Sequence, residues 1–281
     1  MIKSAPKRFV HASPSLKAVL IFFFFVLLAL WVPISTTSLD VGGVLSAASI
    51  FYSILLGFYI AAAMSNLSRL KTLVASETGA LVAIFHMVKL SLPERLEDTR
   101  ENIDQYLIKR FDYEVDTYTE PTTKEFFGIF DVLKKAEGKS AGESAGINYI
   151  AEAMYYISQS RQELTVVGSR VVNGASWFVL VVLSVVIIVT LFFTRDGSWE
   201  SALITALLSA SAVLALFILD DVDANRFGEE QFAIDTYQDV FSAIGKKHYY
   251  PAHYLKRGRY KPTVNAYRTG SSESVSLVEP K

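Results

Sequence analysis

Charged residues are absent from four long stretches of the chain, residues 18–39, 41–68, 171–194 and 201–219, each of them predominantly apolar. About 20 such residues cross the hydrocarbon core of a bilayer as a helix, so the pattern predicts four transmembrane helices. Lys3, Lys7, Arg8 and Lys17 precede the first stretch as they would in a secretory signal. However, the exit WVPISTTSLD lacks a small-x-small cleavage site and a second apolar stretch follows it, so the first helix is expected to stay as a signal anchor.

Between the second and third stretches lie about a hundred residues whose apolar positions recur at helical spacing. Residues 65–92 extend the second helix, with Leu70, Leu73, Leu81, Phe85 and Val88 on one broad face. SLPE, residues 91–94, has the form of a capping box with proline in the first turn of the next helix. That helix carries Leu96, Ile103, Leu107 and Phe111 on one side, and a short helix over residues 124–136 presents Phe126, Phe130 and Leu133. GKSAGESAG, residues 138–146, has the composition of a flexible loop, after which Ile147, Ile150, Met154, Ile157 and Leu164 form a further stripe. Neither strand-type alternation nor an internal repeat is evident.

The expected fold class is therefore all-α: an integral membrane protein with four transmembrane helices and a cytoplasmic helical layer. The expected segments are an N-terminal arm (1–17), helices 1 and 2 (18–64), a cytoplasmic helical region (65–170), helices 3 and 4 (171–219), and a C-terminal segment with a flexible tail (220–281). Arg69, Lys71, Arg161, Arg170 and Arg226 flank the helix ends opposite the short loops STTSLDVGG and TRDGSWE, which hold one basic residue between them. By the positive-inside rule both termini are expected in the cytoplasm, with the chain multi-pass in the inner (plasma) membrane.

Composition agrees with this picture, since 51% of the 281 residues are hydrophobic and 13% aromatic. A net charge of −1 gives no argument for a nucleic-acid partner, and the absence of cysteine removes thiol redox chemistry and cysteine-based metal sites. No charge lies inside a span, which speaks against a carboxylate-driven transporter. Of four histidines only His248 and His253, in HYYPAH, lie near each other, with a poor metal spacing. No Gly-x-Ser-x-Gly elbow or phosphate-cradling loop is present, so no enzyme is expected. Ala202, Ala206, Ser209, Ala210, Ala212 and Ala215 give the fourth helix a small-residue face suited to close packing, with a polar path along Ser201, Thr205 and Ser209 as the alternative. DDVD, residues 220–223, is either a solvated membrane-exit turn or a divalent-cation cluster.

Two motifs carry a family resemblance. SILLGFYI, residues 53–60, resembles the second transmembrane helix of bestrophins, where a serine, three apolar residues and Gly-Phe-Tyr-Val occur in the same order. NRFGE, residues 225–229, resembles the bestrophin Asn-Pro-Phe-Gly-Glu segment that leads into an acidic calcium clasp. The wider chain is similar to bacterial membrane proteins described as bestrophin-like. The resemblance implies a homopentamer whose second helix lines a central pore, with a neck formed by Ile50, Ile54 and Phe58. Helical geometry places these three on one stripe, about 6 Å apart along the axis. The same stripe equally suits contact with lipid or with another helix. An apolar neck of this kind can gate by dewetting, and Gly57 would let a neighbouring helix approach.

The calcium clasp is only partly retained. Asn225, Glu229 and Glu230 form a possible cation site, but Gln231 and Phe232 follow where bestrophins continue an acidic run, and Arg226 replaces the motif's proline. No cofactor beyond this possible calcium is expected. The resemblance implies a chloride-type anion channel formed by a homo-oligomer. The alternative is a non-conducting membrane scaffold that recruits partners through its cytoplasmic helices and its Tyr- and Lys-rich tail, which also suits contact with anionic lipid.

Overall fold

Helical periodicity governs nearly the whole chain in the computed structural model, which describes residues 14–33, 41–134, 136–224, 229–256 and 262–279, with side chains from residue 18 and, in the fourth segment, from residue 234. The elements in order are α1 (Pro14–Trp31), α2 (Gly42–Ser91), a 3-10 turn (Pro93–Arg95), α3 (Leu96–Arg110), α4 (Thr123–Phe130), a second 3-10 turn (Asp131–Leu133), α5 (Ala141–Val167), α6 (Gly174–Phe193), α7 (Trp199–Asp223), α8 (Glu229–Ala243), β1 (Tyr249–Pro251), α9 (Ala252–Lys256), β2 (Tyr267–Ser271) and β3 (Ser274–Val278). Contacts divide them into two compact units, Met1–Ser65 with Arg170–Ala224 and Asn66–Ser169 with Asn225–Lys281. The 50 residues of α2 contribute to both.

The first unit holds the apolar helices. α2, α6 and α7 are each long and apolar enough to cross a membrane. The expected fourth crossing rests on α1, whose 18 residues, about 27 Å, end at Trp31 shortly before Pro33. Ile21 and Phe25 of α1 pack on Ala206 and Ala210 of α7, while Ala48, Tyr52 and Leu56 of α2 pack with Leu180 and Ile187 of α6 and with Ala212 and Leu219 of α7. The small residues of α7 thus serve helix packing, and Thr205 and Ser209 are buried with them.

Several polar groups in this unit find partners within it, as a hydrocarbon surrounding favours. The Tyr52 hydroxyl donates to the Ala212 carbonyl at 2.6 Å, and the Tyr59 hydroxyl donates to Ser176 at 2.7 Å. Asn173 caps α6 and Ser198 caps α7, each accepting from the amide three residues on. Arg195, buried despite its place in a short loop, donates to the carbonyls of Ala29 and Val32. It thereby satisfies acceptors that the last turn of α1 leaves open.

The second unit packs α3, α5, α8, the second half of α2 and the short elements around one apolar core, including Leu70, Leu81, Ile84, Ile103, Leu107, Ile150, Met154, Tyr237 and Phe241. Three expectations from the sequence need correction here. Ser91 caps nothing: α2 runs through it, Pro93 opens a 3-10 turn, and the residue before α3, Arg95, makes no side-chain cap. The expected loop at 138–146 is mostly the first turns of α5, because Ser140 accepts from the Glu143 amide at 3.1 Å and Glu143 accepts from the Lys139 amide at 2.7 Å. This reciprocal arrangement is close to a capping box.

The third correction is a small sheet in the tail, in the order β1-β2-β3, with β1 parallel to β2 and β2 antiparallel to β3. Its strands are too short to announce themselves by alternation. Gln238 of α8 holds β1 by bonding both the amide and the carbonyl of Tyr249, at 2.9 and 2.8 Å. Arg268 of β2 forms a bidentate pair with buried Asp104 of α3, at 2.6 and 2.7 Å. Gly270, with φ +145°, permits the tight approach of the hairpin backbone near Ser274.

Gly146 is required for contact rather than for conformation. A Cβ there would lie 2.5 Å from the Cβ of Ser91 and closer still to its hydroxyl. Although alanine favours helix over glycine by about 1 kcal/mol, overpacking of this kind costs about 1–3 kcal/mol. Gly146→Ala is therefore expected to lower the thermal midpoint of the purified protein, and Ser91→Gly in the same chain to restore part of the loss. A Gly146→Ala variant as stable as wild type would show that the two helices do not meet at this point.

Candidate functional site

The expected neck residues occupy the open face of α2 within the first unit. Ile50, Ile54 and Phe58 are 59%, 64% and 65% exposed, whereas Ala48, Tyr52, Leu56 and Ala63 on the opposite face are buried in the helix packing just described. Gly57 lies on the same open face, and a Cβ there would meet nothing within 4 Å. α2 thus carries two distinct faces, one committed to α6 and α7 and one apolar and uncovered by the described residues.

The acidic and histidine candidates behave differently. Asn225 lies outside the described residues, as do the side chains of Glu229 and Glu230, although these two open α8. In DDVD, Asp223 accepts from the amides of Val171 and Val172 at 2.8 and 2.9 Å, and Asp220 pairs with Arg170 at 3.3 Å. These carboxylates fasten the entry to α6. Among the described residues no group of three His, Asp or Glu side chains is placed to hold a metal ion. His248 bonds Ser242 at 2.8 Å.

A polar cluster that no sequence motif announces lies in the core of the second unit. Glu77 of α2 has no solvent exposure; one carboxylate oxygen accepts from the Tyr106 hydroxyl of α3 and the other from Tyr237 of α8, at 2.7 Å for the latter. The Arg110 Nε lies 3.7 Å from the second oxygen. The Arg110 guanidinium sits between two rings, its Cζ 4.1 Å from the centre of Tyr118 and 4.7 Å from that of Tyr237. Arg161 of α5 lies over Phe126, 3.9 Å from the ring centre, and donates to the Thr119 carbonyl at 2.8 Å and to Thr122 at 2.9 Å.

Arg161 was expected among the basic residues flanking a membrane helix, yet it is 2% exposed. The signal was present in the spacing. Arg161 falls four residues after Ile157 and three before Leu164, and Glu77 falls three after Val74 and four before Leu81, so both occupy core positions of their helices. Burial pushes the phenols of Tyr106, Tyr118 and Tyr237 above their ordinary value of 10.0, and the charge of Glu77 acts in the same direction.

Helices long and apolar enough for a bilayer, joined in one chain to a helical unit with a buried charged core, define an integral membrane protein. A sequence profile of the Bestrophin-like domain matches residues 17–224, and the chain belongs to that family. Among solved structures, a bacterial bestrophin homologue from Klebsiella pneumoniae is similar at 13% identity and a TM-score of 0.61, over 83% of this chain and 99% of that one. A point variant of the same homologue gives 13% identity and a TM-score of 0.61, over 84% and 100%. At such identity the likeness is one of fold. No curated protein matches the chain.

The raised phenols set an alkaline limit to stability. A group that holds its proton more tightly when folded contributes fully below the unfolded value, here 10.0, and that contribution is lost as pH rises through the folded value. Stability is expected to fall above about pH 10. Absorbance titration of tyrosinate should leave Tyr106 and Tyr237 un-ionised in the native protein until it unfolds, with Tyr237→Phe reducing the late amplitude. Smooth titration of every tyrosine at pH 10 in the folded chain would contradict this environment.

Proposed function

We propose that the chain is one subunit of a homo-oligomeric channel for chloride-type anions, with Ile50, Ile54 and Phe58 forming an apolar neck at a shared symmetry axis and Gly57 admitting a neighbouring helix. The observation that carries the reading is the uncovered stripe on α2, placed opposite the face committed to α6 and α7. One subunit supplies too little wall for a central pore, so a ring of copies is required, and membership of the bestrophin-like family favours five. Both termini are read as cytoplasmic, in the inner membrane of a bacterium, from the distribution of basic residues. An apolar constriction excludes ions by dewetting, and its width sets the barrier.

The second reading, a membrane scaffold, draws on one feature of the tail. β3 is the outer strand of its sheet, and Val275 and Leu277 on it are exposed. An open strand edge of this kind suits the addition of a strand from a partner. Liposome flux separates the two readings, because a scaffold has no reason to pass halide.

Replacing Ile50, Ile54 and Phe58 together by alanine widens a neck without removing a charge or a hydrogen bond. Halide flux in liposomes of matched protein content is then expected to rise several-fold, while native mass in mild detergent keeps the closed assembly of wild type. If the stripe packs against another helix instead, the same truncations open cavities worth several kcal/mol and assembly is lost. An intact triple variant with unchanged flux rules out this neck, and a strictly monomeric wild type rules out the ring.

A further inference from the structure

The buried cluster of the second unit has more positive charge and more hydrogen-bond donors than its own residues satisfy. Glu77, Asp104, Arg110 and Arg161 are its fully buried charged side chains among the described residues. Asp104 is engaged by Arg268 in the bidentate pair and the less buried Glu125 pairs with Lys109 at 2.8 Å, which leaves Glu77 as the fully buried carboxylate that faces the two guanidinium groups. Both Glu77 oxygens already accept from tyrosine hydroxyls. Nη2 of Arg110, and Nε and Nη1 of Arg161, are buried without a hydrogen-bond partner among the described residues, while Nε of Arg110 faces Glu77 at 3.7 Å. The Tyr118 hydroxyl is likewise buried without a hydrogen-bond partner among the described residues. Buried donors are rarely left in this state, and an unbalanced buried charge is costlier still.

We propose that this cluster is an internal anion site, taking one small monovalent anion of the halide class against Arg110 and Arg161. Both guanidinium groups lie against the Tyr118 ring, 4.1 and 5.7 Å from its centre, which keeps their central carbons within about 10 Å of one another. At that separation, in a poorly polarisable core, one anion neutralises the excess charge of the pair. The surrounding rings of Tyr106, Tyr118, Phe126 and Tyr237 select the ligand. They offer little to replace the hydration shell of sulfate or phosphate, whereas a weakly hydrated halide needs only the free guanidinium N–H groups. The aromatic faces also stabilise the two cations from the sides the anion does not occupy. The site stands on the second unit by itself and holds whether or not the assembly conducts.

Bromide makes the test direct. Crystals of the full-length protein exchanged into bromide are expected to show an anomalous peak in contact with the Arg110 and Arg161 side chains. In solution, the thermal midpoint in sodium bromide should exceed that in sodium gluconate at equal ionic strength by about 2–5 °C, and the gain should saturate with concentration. Arg161→Met leaves Glu77 and Arg110 balanced one to one, so its midpoint should no longer distinguish the two salts. Should that variant fail to fold, the bromide density in wild type decides the matter alone. Anomalous density absent from the cluster, or ordered water filling it beside a midpoint indifferent to halide, overturns the proposal.

Discussion

Glu77 is the point on which the second unit depends. A carboxylate with no solvent exposure must be compensated where it stands, and here the compensation comes from three chain segments: Tyr106 and Arg110 of α3, Tyr237 of α8 and, through the shared aromatic cage, Arg161 of α5. Removing one partner from such an arrangement leaves an uncompensated charge and typically costs about 3–5 kcal/mol. A purely apolar core admits many near-equivalent packings, whereas a charge bonded at both oxygens admits few. The cluster therefore ties α2, α3, α5 and α8 to one another through their side chains, and the sheet in the tail is fastened to the same α3 by Asp104 and Arg268.

The first unit meets a different constraint. Without water to solvate stray polar groups, its helices rely on caps, on hydroxyls donating to carbonyls, and on small residues for close contact. Tyr52 reaches the Ala212 carbonyl, Arg195 closes the end of α1, and Asp223 holds the two amides that precede α6. These interactions leave the open face of α2 as a surface of Ile, Phe, Ser and Gly with no internal task. Such a face is suited to lipid, to a copy of the chain, or to both around a ring.

Helix existence in the membrane part was legible because a span is set by a single quantity, the length of uncharged apolar sequence. The start of α5 reads as a loop because glycine and serine composition signals flexibility, whereas Ser140 and Glu143 act together as a cap, and Gly146 is required by contact with Ser91 in a distant helix. The tail reads as flexible from its sequence for a related reason. β1 to β3 are three to five residues long, and their stability comes from Gln238 and Asp104, neither of which is local to the strands it holds.

By itself, then, the sequence determined the apolar helices, the long extension of α2 past the membrane length, the family, and the positions of Ile50, Ile54 and Phe58 on one stripe, since each depends only on local periodicity or on a contiguous motif. Tertiary structure alone decided which face of α2 is covered, and that Glu77, Arg110 and Arg161 share a core. Spacing can mark a charged residue as lying on the core stripe, but it does not name the partners that make its burial tolerable. Those partners stand 29 to 160 residues away in Tyr106 and Tyr237, a separation at which chain periodicity carries no information and only packing brings the groups together.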